Sequence, residues 1–194
     1  ATFAQGVLAP INAIGDAQGV TLHNGRVTMP DGFKNAYDAY TQDGWPSLTI
    51  PEDFGGQGMS GFALSAISEI FSGANHSLQM VTGLVPGAAR TLLEYGSDAQ
   101  KELWLPRLAS GEYLSTMCLT EPAAGSDLSR VTTVATHSDT GWRITGEKIY
   151  ISGGDQDMSD GIFHLVLART GDKASGIKGL SLFACETRQD ADTQ

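Results

Sequence analysis

The sequence predicts an α+β fold in which an all-helical half precedes a half built from β-strands. Apolar residues recur at helical spacing between Gly- and Pro-rich turns as far as residue 112. From residue 113 onward, five strand-like runs follow one another without an intervening helix. A hydrophobic content of 41% over 194 residues is enough for a sizeable core. We therefore expect a helical domain at residues 1–112 and an antiparallel sheet or partial β-barrel at residues 113–194.

Four helical segments follow from spacing and end signals. The aromatic residues Phe33, Tyr37 and Tyr40 share one helical stripe, which is more typical of core packing than of a ligand site. After a turn-rich stretch at residues 45–61, the next helix covers about residues 62–71, with an inward stripe of Leu64, Ile67, Ile70 and Phe71.

The third and fourth predicted helices adjoin each other. One carries apolar residues from Val85 to Leu93 and ends at Gly96, where we expect a left-handed cap. The other begins at Ser97, which forms a capping-box pattern with Gln100, and it ends at Gly111. Its predicted inward face contains Leu103 and Leu108.

The second half alternates strand-like runs with Gly, Asp and Ser turns. The final residues 186–194 are polar and without periodicity, so we predict disorder there. The predicted strands are residues 113–119, 131–137, 142–152, 162–169 and 179–186.

Composition excludes several classes of function. A net charge of −10 opposes broad contact with nucleic acid phosphates. The chain contains no apolar run long enough to span a membrane, and its first residues do not resemble a signal peptide, so we expect a cytoplasmic protein without a membrane partner. The two cysteines, Cys118 and Cys185, fit reduced thiols, and the four histidines form no metal-ligand spacing.

One glycine-rich stretch, Gly56 to Gly61, matches the G-x-G-x-x-G pattern of dinucleotide-binding sites. That pattern must follow a buried strand within a βαβ unit, whereas here it follows Pro51-Glu52-Asp53-Phe54. We therefore predict a structural loop rather than a nicotinamide site.

A second stretch of small residues is better suited to binding a ligand. The strand ending at Leu119 runs directly into Thr120-Glu121-Pro122-Ala123-Ala124-Gly125-Ser126-Asp127. Small residues let backbone N–H groups approach an anion, and the Thr and Ser hydroxyls add donors, so this turn is suited to a diphosphate. Composition alone favours an ordinary turn, because Pro, Gly, Ser and Asp are common in turns.

Two ordered segments resemble the acyl-CoA dehydrogenase family. The first is residues 118–127, with its Thr-Glu-Pro and Gly-Ser-Asp triplets, and the second is Thr145-Gly146-Glu147-Lys148-Ile149-Tyr150-Ile151-Ser152-Gly153-Gly154. Residues 51–58 and 96–111 are similar to the helical domain of the same family. The resemblance implies FAD as cofactor and dehydrogenation of an acyl-CoA thioester to the enoyl-CoA.

The resemblance also implies site residues. It places Leu119 and Thr120 near the flavin ring, and Gly125 and Ser126 at the diphosphate, with Ser126 also near the acyl-CoA. Tyr150 stands where the family usually has a Trp against the flavin, and Ser152 where it usually has a Thr whose hydroxyl bonds flavin N5. The full set of implied cofactor contacts is Met117, Leu119, Thr120, Gly125, Ser126, Tyr150, Ile151 and Ser152.

Other implications concern what surrounds this site. Arg130 occupies a place that the family usually gives to a small residue, which puts the packing there in question. In the family the catalytic base is a carboxylate of a C-terminal helical bundle, which is absent from this sequence. Glu121 belongs to the cofactor turn and is not expected to act as the base. We therefore expect no catalytic residue, a fragment with little activity, and a homo-oligomer with electron transfer flavoprotein as acceptor in the whole enzyme.

The amino-acid sequences of residues 153–169 and 176–183 resemble those of one branch of the family, which includes enzymes acting on 3-methylthiopropanoyl-CoA. That similarity favours a short or sulfur-containing acyl group. Two other hypotheses stay open at this point: a non-catalytic helical and β interaction module without flavin, and a nicotinamide dehydrogenase that uses the glycine loop.

Overall fold

The computed structural model describes residues 1–139 and 141–188. Its first part is helical, and a π-helical turn at Ala4–Leu8 leads into the first α-helix. The α-helices are α1 Ala9–Gln18, α2 Phe33–Gln42, α3 Gly61–Ala74, α4 His76–Thr82, α5 Val85–Tyr95 and α6 Asp98–Ser110. None of the described helices is both long and apolar enough to cross a bilayer.

The predicted end signals of α6 are confirmed. The Ser97 hydroxyl accepts from the Gln100 backbone N–H, and the Gln100 side chain accepts from the Ser97 backbone N–H. At the other end Gly111 adopts φ 79°, a left-handed conformation that costs glycine little. Along the helix, Leu105 and Leu108 are fully buried, as the prediction for Leu108 required.

The aromatic stripe of α2 lies in the core. Phe33 and Tyr37 are buried, and Tyr40 stacks on Tyr37 with ring centroids 6.1 Å apart. The Tyr37 hydroxyl donates to the Gly111 carbonyl at 2.7 Å, which ties α2 to the end of α6. The prediction of a packing role for these aromatics is therefore confirmed.

Three details of the helical half were predicted wrongly. A short antiparallel hairpin, β1 Thr21–His23 with β2 Arg26–Thr28, interrupts the helices. Leu103 and Ile70 are 47% and 46% exposed. Leu103 lies on the side of α6 opposite its buried residues, and Ile70 lies at the border of the α3 face that buries Phe71. Gly96 is extended at φ −72°, because α6 begins at once with its own N-cap, which needs an extended approach.

The second part is a five-stranded sheet that forms no closed barrel among the described residues. Its strands are β3 Tyr113–Cys118, β4 Val134–Ser138, β5 Gly141–Thr145, β6 Gly161–Arg169 and β7 Leu180–Arg188.

The sheet is mixed, which corrects the expectation of antiparallel pairing throughout. Strand β6 pairs antiparallel with β7, and β4 with β5, but β6 runs parallel to β3. Parallel pairing needs a long crossover, and the residues between β3 and β6 provide one. The β4–β5 hairpin joins β6 through the parallel pair Val134 and Arg169.

Three strand boundaries also differ from the prediction by two residues or more. Strand β4 begins at Val134 rather than at residue 131. The run at residues 142–152 is a strand only as far as Thr145, because Gly146 leaves the sheet beneath Thr133. A Cβ at Gly146 would lie 2.3 Å from the Thr133 hydroxyl oxygen, so only glycine fits there. At the C-terminal end, residues 186–188 belong to β7 rather than to a disordered tail, and residues 189–194 lie outside the described part.

One face of the sheet packs against the helices. Trp104 of α6 lies 5.0 Å from the ring of Phe163 on β6 and 5.8 Å from that of Tyr113 on β3. Arg107 on the same helix stacks over Tyr113 at 5.3 Å. Helices and sheet therefore share one hydrophobic core, and the carboxyl end of β3 emerges beside the helical layer.

Candidate cofactor site

The residues after β3 form a tight turn. The Glu121 backbone N–H donates to the Ala124 carbonyl at 2.8 Å, and the Ala124 N–H donates back to Glu121 at 3.1 Å. Pro122 and Ala123 lie at the exposed tip of this turn. The chain then continues through Gly125 and Ser126 on the surface, as a cofactor-binding turn requires.

The Glu121 side chain points inward and joins three segments. Its carboxylate accepts hydrogen bonds from the Thr132 N–H at 2.7 Å, the Thr132 hydroxyl at 2.6 Å and the Thr133 N–H at 3.0 Å. The Lys148 ammonium completes the set at 2.8 Å, in a buried ion pair. We call this arrangement the Glu121 latch.

The latch determines the protonation state of the carboxyl group. Burial by itself would raise the pKa of Glu121, but hydrogen bonds from Lys148, Thr132 and Thr133 outweigh it and hold the pKa well below the ordinary value of 4.5. A carboxylate so fully engaged is a poor proton acceptor at neutral pH. This low basicity is a physical reason to expect that Glu121 is not the base, which stays a prediction.

The second motif lies alongside the first. The Ile149 N–H donates to the Thr120 carbonyl at 2.9 Å, and the Lys148 ammonium donates to the Leu119 carbonyl at 3.1 Å. These bonds and the latch hold residues 148–149 against residues 119–121. Two segments that are almost 30 residues apart in sequence thus meet at the end of β3.

Tyr150 has an unusual conformation. Its φ is 57°, in the left-handed region that an aromatic residue seldom adopts, and its side chain is 90% exposed. The sequence prediction of a strand here is wrong, because the chain bonds to Thr120 and then turns at residues 151–154, where the Gly154 N–H donates to the Ile151 carbonyl at 3.1 Å. The exposed ring leaves an aromatic face available to a ligand.

The predicted hydroxyl donors are free to bind a ligand. Thr120 and Ser152 are half-buried and Ser126 is exposed, and within the described residues none of these hydroxyls forms a hydrogen bond to protein. Gly125 has open space where a Cβ would lie, so its backbone can be approached closely. These residues fit a flavin with its diphosphate, whereas a packed turn would have engaged them.

Sequence reasoning missed an apolar groove beside β3. Its volume is about 270 Å³, and Met117 is the one predicted site residue in its lining. Repeated small residues at helical spacing, Gly83, Gly87 and Ala88, were the available signal. The lining consists of Gly83, Leu84, Gly87, Ala88, Thr91, Thr116, Met117 and Leu165.

The remaining predicted features are structural. Arg130 ends an exposed 3₁₀ turn and does not enter the core. A large side chain at this position therefore does not disturb the packing. Residues 56–60 form a loop that leads into α3 and does not directly follow a strand, and a Cβ at Gly56 would lie 1.8 Å from the Ile50 carbonyl oxygen. The loop reading is confirmed.

The cysteines are free thiols, buried at Cys118 and half-buried at Cys185. Burial raises the pKa of both thiols, which favours the inert protonated form. His164 bridges strands through Thr116 at 2.7 Å and Thr187 at 3.0 Å. Within the described residues no cluster of His, Cys, Asp or Glu is arranged to hold a metal ion.

Comparison with known families agrees with this geometry. The profile of the acyl-CoA dehydrogenase N-terminal domain matches residues 2–112, and that of the acyl-CoA dehydrogenase middle domain matches residues 116–193. The chain belongs to the acyl-CoA dehydrogenase family. The resemblance seen in the two sequence motifs is thereby confirmed.

Among relatives, 3-methylmercaptopropionyl-CoA dehydrogenase of Ruegeria pomeroyi is 46% identical over 93% of this chain and 31% of its own length. The structure of butyryl-CoA dehydrogenase from Megasphaera elsdenii superimposes with a TM-score of 0.78 at 28% identity, over 95% of this chain and 45% of that one. PigA, solved as its FAD complex, shares the fold with a TM-score of 0.75 at 21% identity, over 96% of this chain and 45% of that one. The chain thus spans less than half the length of each.

Proposed function

We propose that this chain provides the FAD-binding and acyl-binding part of an acyl-CoA dehydrogenase that converts an acyl-CoA thioester to the enoyl-CoA. The observation that carries the proposal is the joining of the two family motifs at the end of β3. The Glu121 latch and the Ile149–Thr120 bond hold them together, while the hydroxyls of Thr120, Ser126 and Ser152 have no hydrogen-bond partner among the residues that the structure describes.

The proposed contacts to FAD divide into two groups. Leu119, Thr120 and Met117, at the end of β3, would contact the flavin ring, and Gly125 and Ser126 would offer an amide and a hydroxyl to the diphosphate. From the second motif, Tyr150 offers its aromatic face, Ile151 an apolar contact, and Ser152 a hydroxyl donor to flavin N5. FAD, when bound, supplies the acceptor for the hydride that leaves the β-carbon of the substrate.

The groove beside Met117 is our proposed acyl site. Its lining is largely apolar, which suits a hydrocarbon or thioether chain. The contact of Ser126 with the acyl-CoA is part of the proposal that rests on family resemblance. The similarity to 3-methylmercaptopropionyl-CoA dehydrogenase favours a short, sulfur-containing acyl group. We do not assign the base that removes the α-proton to Glu121, because the latch engages its carboxylate. By family resemblance we propose that the base belongs to a C-terminal helical bundle.

Further parts of the proposal rest on family resemblance. They are a division into domains at residues 1–112 and 113–194, electron transfer flavoprotein as the acceptor, a homo-oligomeric whole enzyme, and a cytoplasmic location. We also propose that the 194-residue chain alone turns over little substrate in a dye-reduction assay.

The proposal is tested by titrating FAD with the purified chain and following the quenching of flavin fluorescence. We expect saturable binding that Ser152→Ala weakens about tenfold, the worth of one hydrogen bond. The matched control, Ser175→Ala, removes an exposed hydroxyl elsewhere in the same half and should leave binding unchanged. Failure of the unaltered chain to bind flavin would favour the interaction module without flavin.

A further inference from the structure

The loop between Ser152 and β6 is an organised body. Gln156 is fully buried, and its side-chain oxygen accepts the N–H groups of Met158 and Ser159, the latter at 3.0 Å. Its side-chain nitrogen donates to the Ser159 hydroxyl at 2.6 Å, and that hydroxyl donates to the Gly161 carbonyl at 2.7 Å. These bonds tie the loop to the start of β6.

Two carboxylates on the outside of this loop bind the distant β1–β2 hairpin. Asp155 accepts from the Val27 N–H at 2.9 Å and from the Arg26 guanidinium at 3.2 and 3.3 Å. Asp157 accepts from the Met29 N–H at 3.0 Å. In the register of the hairpin, the N–H groups of Val27 and Met29 point away from β1. The two carboxylates accept these N–H groups, as the carbonyl groups of a third strand would.

The turn at residues 150–154 lies between this loop and helix α4. A Cβ on Gly153 would lie 3.0 Å from a Val81 methyl group, so the turn packs closely on α4. On its other side the chain passes directly into Asp155 and its hairpin contacts. A left-handed Tyr150 persists only where the neighbouring backbone is held in place. The Ile149–Thr120 bond fixes the chain before it, and the contacts of Gly153 and Asp155 fix the chain after it.

We propose that Asp155 is a positioning residue that anchors the turn at residues 150–154 to the β1–β2 hairpin and thereby fixes Tyr150 and Ser152 for the cofactor. This inference rests on the proposed function, because it assigns a purpose to the geometry of two proposed flavin contacts. The Arg26–Asp155 ion pair is partly exposed and contributes little by itself. The hydrogen bond from the Val27 backbone N–H is the part of the contact that Asp155→Asn would keep, because the new side-chain amide oxygen can still accept it.

The first test needs no cofactor. In Asp155→Ala, amide hydrogen exchange at Ile149 and Gly154 should accelerate about tenfold or more, while amides in the middle of β6 keep their protection. Asp155→Asn, which keeps an oxygen acceptor for Val27, should restore most of the protection. Asp16→Ala, which removes an exposed carboxylate on α1, is the matched control. Unchanged exchange at Ile149 and Gly154, or an equal increase throughout β6, would overturn the inference.

The second test links the anchor to the flavin through a double-mutant cycle. Asp155→Ala should weaken FAD binding about tenfold in the unaltered chain but less than about threefold in a Ser152→Ala background, because coupled residues are not additive. An equal loss in both backgrounds would show that Asp155 does not act through the turn. If the unaltered chain binds no FAD, the proposed function fails, and the exchange measurement alone decides whether Asp155 holds the turn.

Discussion

At the scale of single residues, Glu121 is an acidic residue beside the proposed flavin contacts. Donors from other segments satisfy its carboxylate. Thr132, Thr133 and Lys148 come from two segments that the Glu121 carboxylate ties to the end of β3. Sequence alone placed Glu121 in the cofactor turn. Its three partners became visible only in the folded chain, because they lie 11 to 27 residues further on.

Removal of the Glu121 charge should destabilise the protein. Glu121→Gln leaves the buried Lys148 ammonium without its partner, so the free energy of unfolding should fall by about 3 kcal/mol in urea titrations. Glu147→Gln, one residue from Lys148 but exposed, should change it by less than about 0.5 kcal/mol. Equal effects of the two substitutions would contradict the latch.

The latch also predicts a dependence of stability on pH. The folded-state pKa of Glu121 is depressed below the ordinary value of 4.5, so the unfolded state takes up a proton first as the pH falls. The stabilisation is therefore complete above pH of about 5 and is lost progressively below it. Unfolding free energies measured from pH 6 to about 3 should fall more steeply in the unaltered chain than in Glu121→Gln. Parallel curves would argue against a depressed pKa.

Tyr150 should show a conflict between stability and binding. Asn adopts left-handed φ more readily than Tyr, so Tyr150→Asn should raise the free energy of unfolding by up to about 1 kcal/mol. It should also weaken FAD binding, because the exposed aromatic face is lost. Tyr95→Asn, which alters an exposed tyrosine at the end of α5, is the control and should not stabilise. A destabilised Tyr150→Asn chain would mean that the ring already has packing partners.

At the scale of elements, the best-predicted helix is α6, because its signals are local. Ser97, Gln100 and Gly111 act within one turn of their own backbone, so tertiary contacts are not needed to place the ends. The segment after β5 was mispredicted for the opposite reason. Its apolar alternation is typical of a strand, but the hydrogen bond to Thr120 competes successfully with continued pairing to β4.

The cap of α6 can be tested directly. Ser97→Ala removes the acceptor for the Gln100 N–H and breaks the reciprocal box, so stability should fall by about 1 kcal/mol. Ser65→Ala on α3 removes a hydroxyl that bonds only within its helix, and the change should be smaller. Thermal unfolding of both variants provides the comparison. If Ser97→Ala left the thermal stability unchanged, the end of α5 alone would fix where α6 begins.

At the scale of the whole molecule, helices and sheet should unfold together. Phe163→Ala empties a fully buried site next to Trp104 and should lower the free energy of unfolding by about 3 to 5 kcal/mol. Far-ultraviolet circular dichroism and tryptophan fluorescence should report one shared transition. Phe62→Ala, at an 85% exposed position, should have little effect. Separate transitions for helical and strand signals would show two independent cores.

The sequence by itself determined the family, the order of the helical and strand-built halves, the ends of α6 and the residues of both motifs. These features depend on spacing and on chemistry within a few residues of the chain. The tertiary structure decided the rest: the parallel pairing of β3 with β6, the apolar groove at Met117, the inward direction of Glu121, and the anchoring of residues 150–154 by Asp155. Each of these unites residues from distant segments, and the gain from burial and hydrogen bonding there depends on partners that no local pattern specifies.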